Sequence, residues 1–192
     1  MFLSKTLAKK CFPFLFVLII GCAPSKEAIY VDPNFPQIDK ITLLPAIDAR
    51  IDTSIEVDMN GQIRERGLDK LEDKGYQCTL SENTGDVKLI TEELLKSGDS
   101  SWIKQLGPAD ARWPMVLMLI DVSSNISFGS SGNAEVEGFL FDKDTGKIVW
   151  RDKGIGKVGQ GGLLGLVLSS DMDEEAIGEA MKNLMLSFPE KQ

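Results

Sequence analysis

Residues 1–21 decide how much of this chain is left to fold. Met1 to Lys10 carries Lys5, Lys9 and Lys10 and no acid, and Cys11 to Ile20 is an almost unbroken apolar run. A basic start, a short apolar stretch and then small residues form the pattern of an export signal that is removed. As a membrane span the run is too short, because crossing the hydrocarbon takes about 20 apolar residues. The rest of the chain is acidic. The whole sequence has 21 Lys and Arg against 29 Asp and Glu, and without the three leader lysines 18 basic side chains face 29 acidic ones, a formal charge of −11. No Lys/Arg cluster is left to hold a phosphate backbone by counterion release, so nucleic acid is not an expected partner.

The junction is more specific than a generic cleavage site. Ile19, Ile20 and Gly21 before Cys22 form a stretch that resembles the lipobox of bacterial lipoproteins. The resemblance implies that signal peptidase recognises Ile19, Ile20 and Gly21, that the Cys22 thiol receives a diacylglycerol, and that the new amino terminus is acylated too. Two or three acyl chains, at about 0.8 kcal/mol per buried methylene, anchor a protein stably. The expectation is a domain anchored to a membrane and not spanning it. Ala23 rather than Asp after the cysteine implies an outer-membrane, periplasm-facing position in a Gram-negative envelope. In a Gram-positive host, or if the protein is retained, it implies the outer face of the cytoplasmic membrane. Cys11 leaves with the leader and Cys22 is consumed, which leaves Cys78 with no intramolecular disulfide partner. Within Tyr76-Gln77-Cys78-Thr79-Leu80, Cys78 reads as a small buried hydrophobe on a strand rather than a reactive thiol.

Beyond the signal (1–21), residues 22–37 hold three prolines and no period, and read as a flexible tether from Cys22. Residues 38–189 read as a single domain. Lys40 to Pro45 suits a short buried strand. From Asp58, Met59, Ile63, Gly67, Leu68 and Leu71 fall near helical spacing, with Asp58 placed to cap and Gly75 to terminate. Tyr76 to Leu80 returns as a strand. A second helical region comes next, with Asp86 or Thr91 as caps for Leu89, Ile90, Leu94 and Leu95 and a further turn at Ser101 to Leu106. Met115 to Val122 is apolar without alternation, as in a central strand covered on both faces, or on one face and by its neighbours' chains. Glu135 to Asp142 and Lys147 to Arg151 flank the turn Lys143-Asp144-Thr145-Gly146, a hairpin signal. Ala176, Ile177, Ala180, Met181, Leu184, Met185 and Phe188 form the clearest amphipathic helix, with Asp171 to Glu175 at its positive end. The fold class is α/β (α+β): a two-layer domain, helices on a mixed sheet of about five strands, in the order β-α-β-α-β-β-β-α.

The Leu-Leu-Pro first strand, the helix ending in Lys74-Gly75-Tyr76, the Asp142 to Trp150 hairpin and the Gly-rich stretch before a terminal helix together resemble a group of bacterial lipoproteins. These share the α/β fold of the TolB amino-terminal domain, the curli secretion lipoprotein and the lipoprotein activators of penicillin-binding proteins. The resemblance spans residues 39 to 188 and implies a fold. It brings no catalytic residue, and fold alone does not carry function.

No histidine occurs in the chain. Ser-His-Asp and Cys-His pairs, His-ligated zinc and a histidine base are thereby excluded. Gly154-Ile-Gly-Lys-Val-Gly159 matches G-x-G-x-x-G, but more glycine comes after it instead of a helix and a returning strand, so no dinucleotide site and no cofactor is expected. Ser101-x-x-Lys104 with Ser123-Ser-Asn125 lacks the third element of penicillin-recognising enzymes. Asp171 to Glu175 and Asp142-x-Asp144 are explained by a helix start and a hairpin, so no metal site is assigned. Gly154 to Leu168 is apolar and Gly-rich, and reads either as strand and turn beneath the last helix or as a surface that meets another subunit, a partner or lipid. The candidate contact residues are Gly159, Gly161, Gly162, Leu163, Leu164, Gly165 and Leu166. The expected function is a non-catalytic interaction or assembly module of the cell envelope, meeting a protein partner or a second copy of itself. The alternative is a small-molecule or lipid carrier, which needs a concave apolar cavity of about 300 Å³ or more.

Overall fold

A computed structural model describes residues 26–83, 90–127, 129–161 and 172–191. Seven strands make one mixed sheet: β1 (Tyr30–Val31), β2 (Lys40–Leu43), β3 (Ile47–Asp48), β4 (Gln77–Leu80), β5 (Pro114–Ser127), β6 (Gly129–Asp142) and β7 (Lys147–Gly161). Their order is β1-β7-β6-β5-β2-β4, with β3 beside β5. The α/β class and the expected element order hold, with the two-residue strands β1 and β3 added to the five.

β2 lies between β4 and β5 and runs parallel to both. The first crossover is the helix predicted from Asp58. The Asp58 carboxylate accepts the N–H groups of Asn60 and Gly61 at 3.1 and 3.0 Å. A wide π-helical turn (Met59–Glu65) leads into α1 (Arg66–Asp73), and Gly75 ends it at φ 87°, a conformation natural to glycine. The second crossover carries α2 (Glu92–Lys96) and a 3₁₀ turn (Ser101–Gln105). Thr91 caps α2 by accepting the Leu94 N–H at 3.2 Å, whereas Asp86 lies outside the described residues.

Alternation along β5 explains why its sequence shows none. Met115, Leu117 and Leu119 belong to a core shared with Ile63, Leu71 and the last helix, α3 (Met172–Met185), on one face of the sheet. Val116 and Met118 belong to a second core with Ile103, Phe139 and Phe141 on the other. The sheet is thus covered on both faces. The short second crossover covers one of them.

α3 lies unusually close to the sheet because glycines make room for it. A Cβ on Gly156 would stand 1.9 Å from the Ala176 carbonyl oxygen, one on Gly154 2.0 Å from that of Ala180, and one on Gly132 2.5 Å from that of Met172. Beyond the helix, Phe188 meets Trp150, Tyr76 and Phe35 edge-on, with centroids 4.9, 5.3 and 6.0 Å apart.

Residues 26–37, expected to belong to the tether, are instead strapped to the domain. Val31 pairs with Trp150 and Tyr30 with Arg151, the Asp32 N–H reaches the Val149 carbonyl at 2.9 Å, and Phe35 joins the aromatic cluster. Lys26 bonds the buried Asp152 carboxylate at 2.7 Å and the Lys153 carbonyl. The composition suggested a linker, but the short β-prone run Ile29-Tyr30-Val31 finds an open strand edge to pair with.

Gly156→Val puts a branched side chain where the helix backbone stands. It is expected to cost 3 kcal/mol or more, about the upper range for overpacking, read as a lowered urea midpoint. An unchanged midpoint would refute the close approach.

Candidate functional site

The strap builds one wall of an open cleft. Ile29 and Tyr30, 56% and 42% exposed, face Leu94 and Leu95 of α2 across it. Trp102, Ile103 and Ile148 line it, and the hairpin end at Gly146 closes one side. Its volume is about 370 Å³, and its lining is mainly apolar.

Each wall has a local cause. α2 is held down by Arg151, whose guanidinium pairs with Glu92 in the first turn, approaches Glu137 at 3.6 Å and stands 5.3 Å over the Phe139 ring. The same arginine lines the cleft, so one cation sets its width and supplies a charge at its edge. The 3₁₀ turn is fixed by Trp102, edge-on to Phe141 with centroids 5.3 Å apart. Gly146 sits at φ 66° with its N–H on the Asp142 carbonyl at 2.8 Å, and a Cβ there would come within 3.0 Å of the Ser100 hydroxyl. The hairpin predicted from Lys143 to Gly146 is therefore also the piece that packs against the 3₁₀ turn.

The charged side chains lining the cleft are Asp99, Lys147 and Arg151. The Ser101 N–H and hydroxyl hold the Asp99 carboxyl below its ordinary value, and Arg151 is engaged by two glutamates. Such a surface can take up apolar side chains and offer one or two ionic contacts at the rim. Among the described residues, no group of three or more His, Cys, Asp or Glu is placed to hold a metal ion.

The predicted site residues fall elsewhere. Gly159 is exposed near the end of β7, opposite Ser131, and Gly161 closes the strand opposite Gly129. Gly162, Leu163, Leu164, Gly165 and Leu166 lie outside the described residues, as do Ile19, Ile20, Gly21 and Cys22. Gly154 and Gly156, the start of the G-x-G-x-x-G pattern, lie beneath α3, and their spacing serves helix packing. Ser101 and Lys104 sit in the 3₁₀ turn while Ser123 to Asn125 belong to the outer part of β5, so that pair of elements is not brought together as one site. Asp142 caps the hairpin, accepting the Asp144 N–H at 3.0 Å and pairing with Arg112. Burial raises its carboxyl, and the bonds from Arg112, Thr145 and Asp144 outweigh that and leave it below 3.8. Ile29 and Tyr30 were missed as site residues because their proline-bearing surroundings read as linker. The signal that marks them is an apolar, β-prone triplet inside it.

No family model matches the chain, and no curated protein is similar to it in sequence. Solved structures are. A variant form of the PelC dodecamer from Paraburkholderia phytofirmans superposes with a TM-score of 0.52 and 11% identity over 85% of this chain and 95% of that one. A second crystal form of that protein gives 0.50 and 11% over 82% and 94%. Lipoprotein GNA1162 from Neisseria meningitidis gives 0.44 and 15% over 69% and 94%. At 11% identity the likeness to PelC shows the fold.

Cys78 is half-buried on β4, and burial, with the Glu72 carboxylate adding to it, pushes its thiol up to about 12. At pH 8 it is therefore expected to react with iodoacetamide far more slowly in the native protein than in urea. Equal rates in both would show an accessible, ionised thiol.

Proposed function

We propose that the protein is a lipid-anchored lipoprotein of the bacterial cell envelope whose domain is a non-catalytic interaction module. Cys22 attaches it to the membrane, outer in a Gram-negative host, and the cleft between the strap and α2 receives apolar side chains of an envelope protein. The carrying observation is the cleft itself: an open, apolar surface built from the segment next to the anchor. Buried area of this kind stabilises a complex through the same apolar transfer that drives folding. With no histidine in the chain and the cleft charges paired or at its rim, no nucleophile, base and oxyanion donor are assigned.

The carrier reading has one observation in its favour, since about 370 Å³ meets the size a small apolar ligand needs. The cleft is open rather than enclosed, which suits protruding side chains better than a ligand to be sequestered from water. PelC, which shares the fold, is a dodecamer, and that supports a second copy of this chain as one partner to test.

Intact mass of the membrane-extracted protein is expected to show a chain starting at Cys22 with acyl mass added, and a start elsewhere without lipid would sink the anchor. Crosslinking from membranes should then lose its captured partner in Leu94→Asp with the thermal midpoint unchanged. If Leu164→Asp or Leu166→Asp removes the partner and Leu94→Asp does not, the contact surface is the Gly-rich stretch and not the cleft. Sedimentation of the wild type reads self-association.

A further inference from the structure

We propose that a second cleft, at the carboxyl ends of β2 and β4, binds a small monocarboxylic acid whose carboxylate takes the place of the Glu82 side chain on the buried guanidinium of Arg64. This site is separate from the cleft at α2 and does not depend on the anchor at Cys22.

The cleft has a volume of about 330 Å³ and is lined by Pro45, Ala46, Met59, Asn60, Arg64 and Glu82. Its position follows from the topology. β2 runs parallel to β4 on one side and to β5 on the other, so the chain order reverses at β2. Open sheets of this kind take up ligands beyond the carboxyl ends of their strands at such a point. One wall is the π-helical turn Met59–Glu65, a rare form of helix that frequently accompanies functional sites.

Arg64 makes the cleft a site for an anion. Its side chain is 4% exposed. Nη2 donates to the Ser81 carbonyl at 2.6 Å and to that of Leu43 at 3.4 Å, which fixes the guanidinium to the strand ends. Nη1 donates to the Asn60 amide oxygen at 3.2 Å and to the Glu82 carboxylate at 2.7 Å. Nε is shielded from water and has no hydrogen-bond partner. A buried donor left unpaired is uncommon in folded proteins and calls for an acceptor. Glu82 does not meet that demand. It is 86% exposed and reaches the guanidinium through one nitrogen, so water screens the pair. A carboxylate that is desolvated together with Arg64 satisfies a buried charge better.

Charge and walls select the ligand. Among the described residues lining the cleft, Arg64 is the one cation. It balances a single negative charge, which suits a carboxylate and not a phosphate dianion. Pro45, Ala46 and Met59 are half-buried and offer the hydrocarbon part of an acid an apolar wall. The neighbouring acids are already engaged. Asp58 accepts the N–H groups of Asn60 and Gly61, and Glu65 accepts the Asn60 side-chain amide at 2.9 Å, which turns the amide oxygen toward Arg64. Neither of these carboxylates lines the cleft.

The test titrates hexanoate into the full-length protein in detergent micelles and follows the Arg64 Nε–H resonance by proton–nitrogen correlation NMR. Arg151, whose Nε is also buried and unpaired at the other cleft, serves as the internal reference. Hexanoate should shift the Arg64 resonance saturably at millimolar concentrations, the range open to so few ligand atoms, and leave Arg151 unmoved. Hexanamide, which carries no charge, should move neither. Glu82→Gln removes the competing carboxylate at an exposed position and should tighten hexanoate binding about threefold. In Arg64→Lys, followed at the Asn60 side-chain amide, the saturable shift should vanish. If that variant does not fold, Ala46→Leu, which crowds the apolar wall and leaves the guanidinium in place, should weaken binding in its stead. No saturable shift in either the wild type or Glu82→Gln, or an equal shift by inorganic phosphate at matched ionic strength, overturns the proposal and leaves Arg64 as a structural tie between strand ends. A Glu82→Gln protein that binds hexanoate no more tightly than the wild type overturns the exchange of carboxylates.

Discussion

The contact between the backbone of α3 and the glycines of β6 and β7 is the constraint on which the rest of the molecule depends. A helix normally rests on a sheet through side chains from both. Here Gly154 and Gly156 present backbone, and Ala176 and Ala180 are the helix residues above them, so the two elements approach to a distance that no other residue types allow. Close approach places Met181, Leu184 and Met185 deep enough to share a core with β5 and α1. It also brings the end of the helix down to the strap: Ser187 donates to the Asp152 carboxylate at 2.5 Å, and Lys26 holds the same carboxylate from the other side. Asp152 is almost wholly buried, so its charge needs that lysine, and the strap is tied to the fold by the electrostatics of one buried carboxylate.

Topology explains why the cleft lies where it does. In open α/β sheets, ligands collect beyond the carboxyl ends of the strands at the point where the chain order reverses, and here that point is beside β2, which has β4 on one side and β5 on the other. This place holds a cleft of about 330 Å³ whose lining is as polar as it is apolar. After Pro45 the chain continues as β3 and pairs with Met118 and Leu119 of β5. Beside it, buried Arg64 donates to the Glu82 carboxylate at 2.7 Å, the Asn60 amide oxygen at 3.2 Å and the Ser81 carbonyl at 2.6 Å, tying the carboxyl ends of β2 and β4 to the π-helical turn. Concave apolar surface is left instead at the opposite edge of the sheet, where a two-residue strand meets a five-residue helix and neither is long enough to cover the other's flank.

The sequence was most legible where one physical rule dominated. The apolar run of β5, the caps at Asp58 and Thr91, the turn at Gly146 and the amphipathic face of α3 are each set by neighbours in the chain, and each appears where local reasoning places it. What ties the second crossover to the sheet was not legible, because α2 is five residues long and its hold is the pairing of Glu92 with Arg151, 59 residues away. The strap was missed for the same reason. Lys26 in isolation is a linker lysine, and only the burial of Asp152, 126 residues on, gives it a place. The glycines of β7 were read as a question about phosphate or surface contact, and Gly154 and Gly156 have their answer in a helix that comes later in the chain.

The strap and the helix end have a further consequence for how the molecule keeps to itself. The outer edge of β7 would be a row of free carbonyls, a template on which a strand of another chain could grow. Alternate positions along it are occupied by unlike donors: the Asp32 amide on Val149, the pairing of Tyr30 at Arg151, the Lys26 ammonium on Lys153 and the Asn183 side-chain amide on Ile155. Two rungs of backbone and two of side chain close the edge with no full strand laid against it. Copies of the chain that meet side by side are thereby denied strand-on-strand fusion along this edge as far as Ile155.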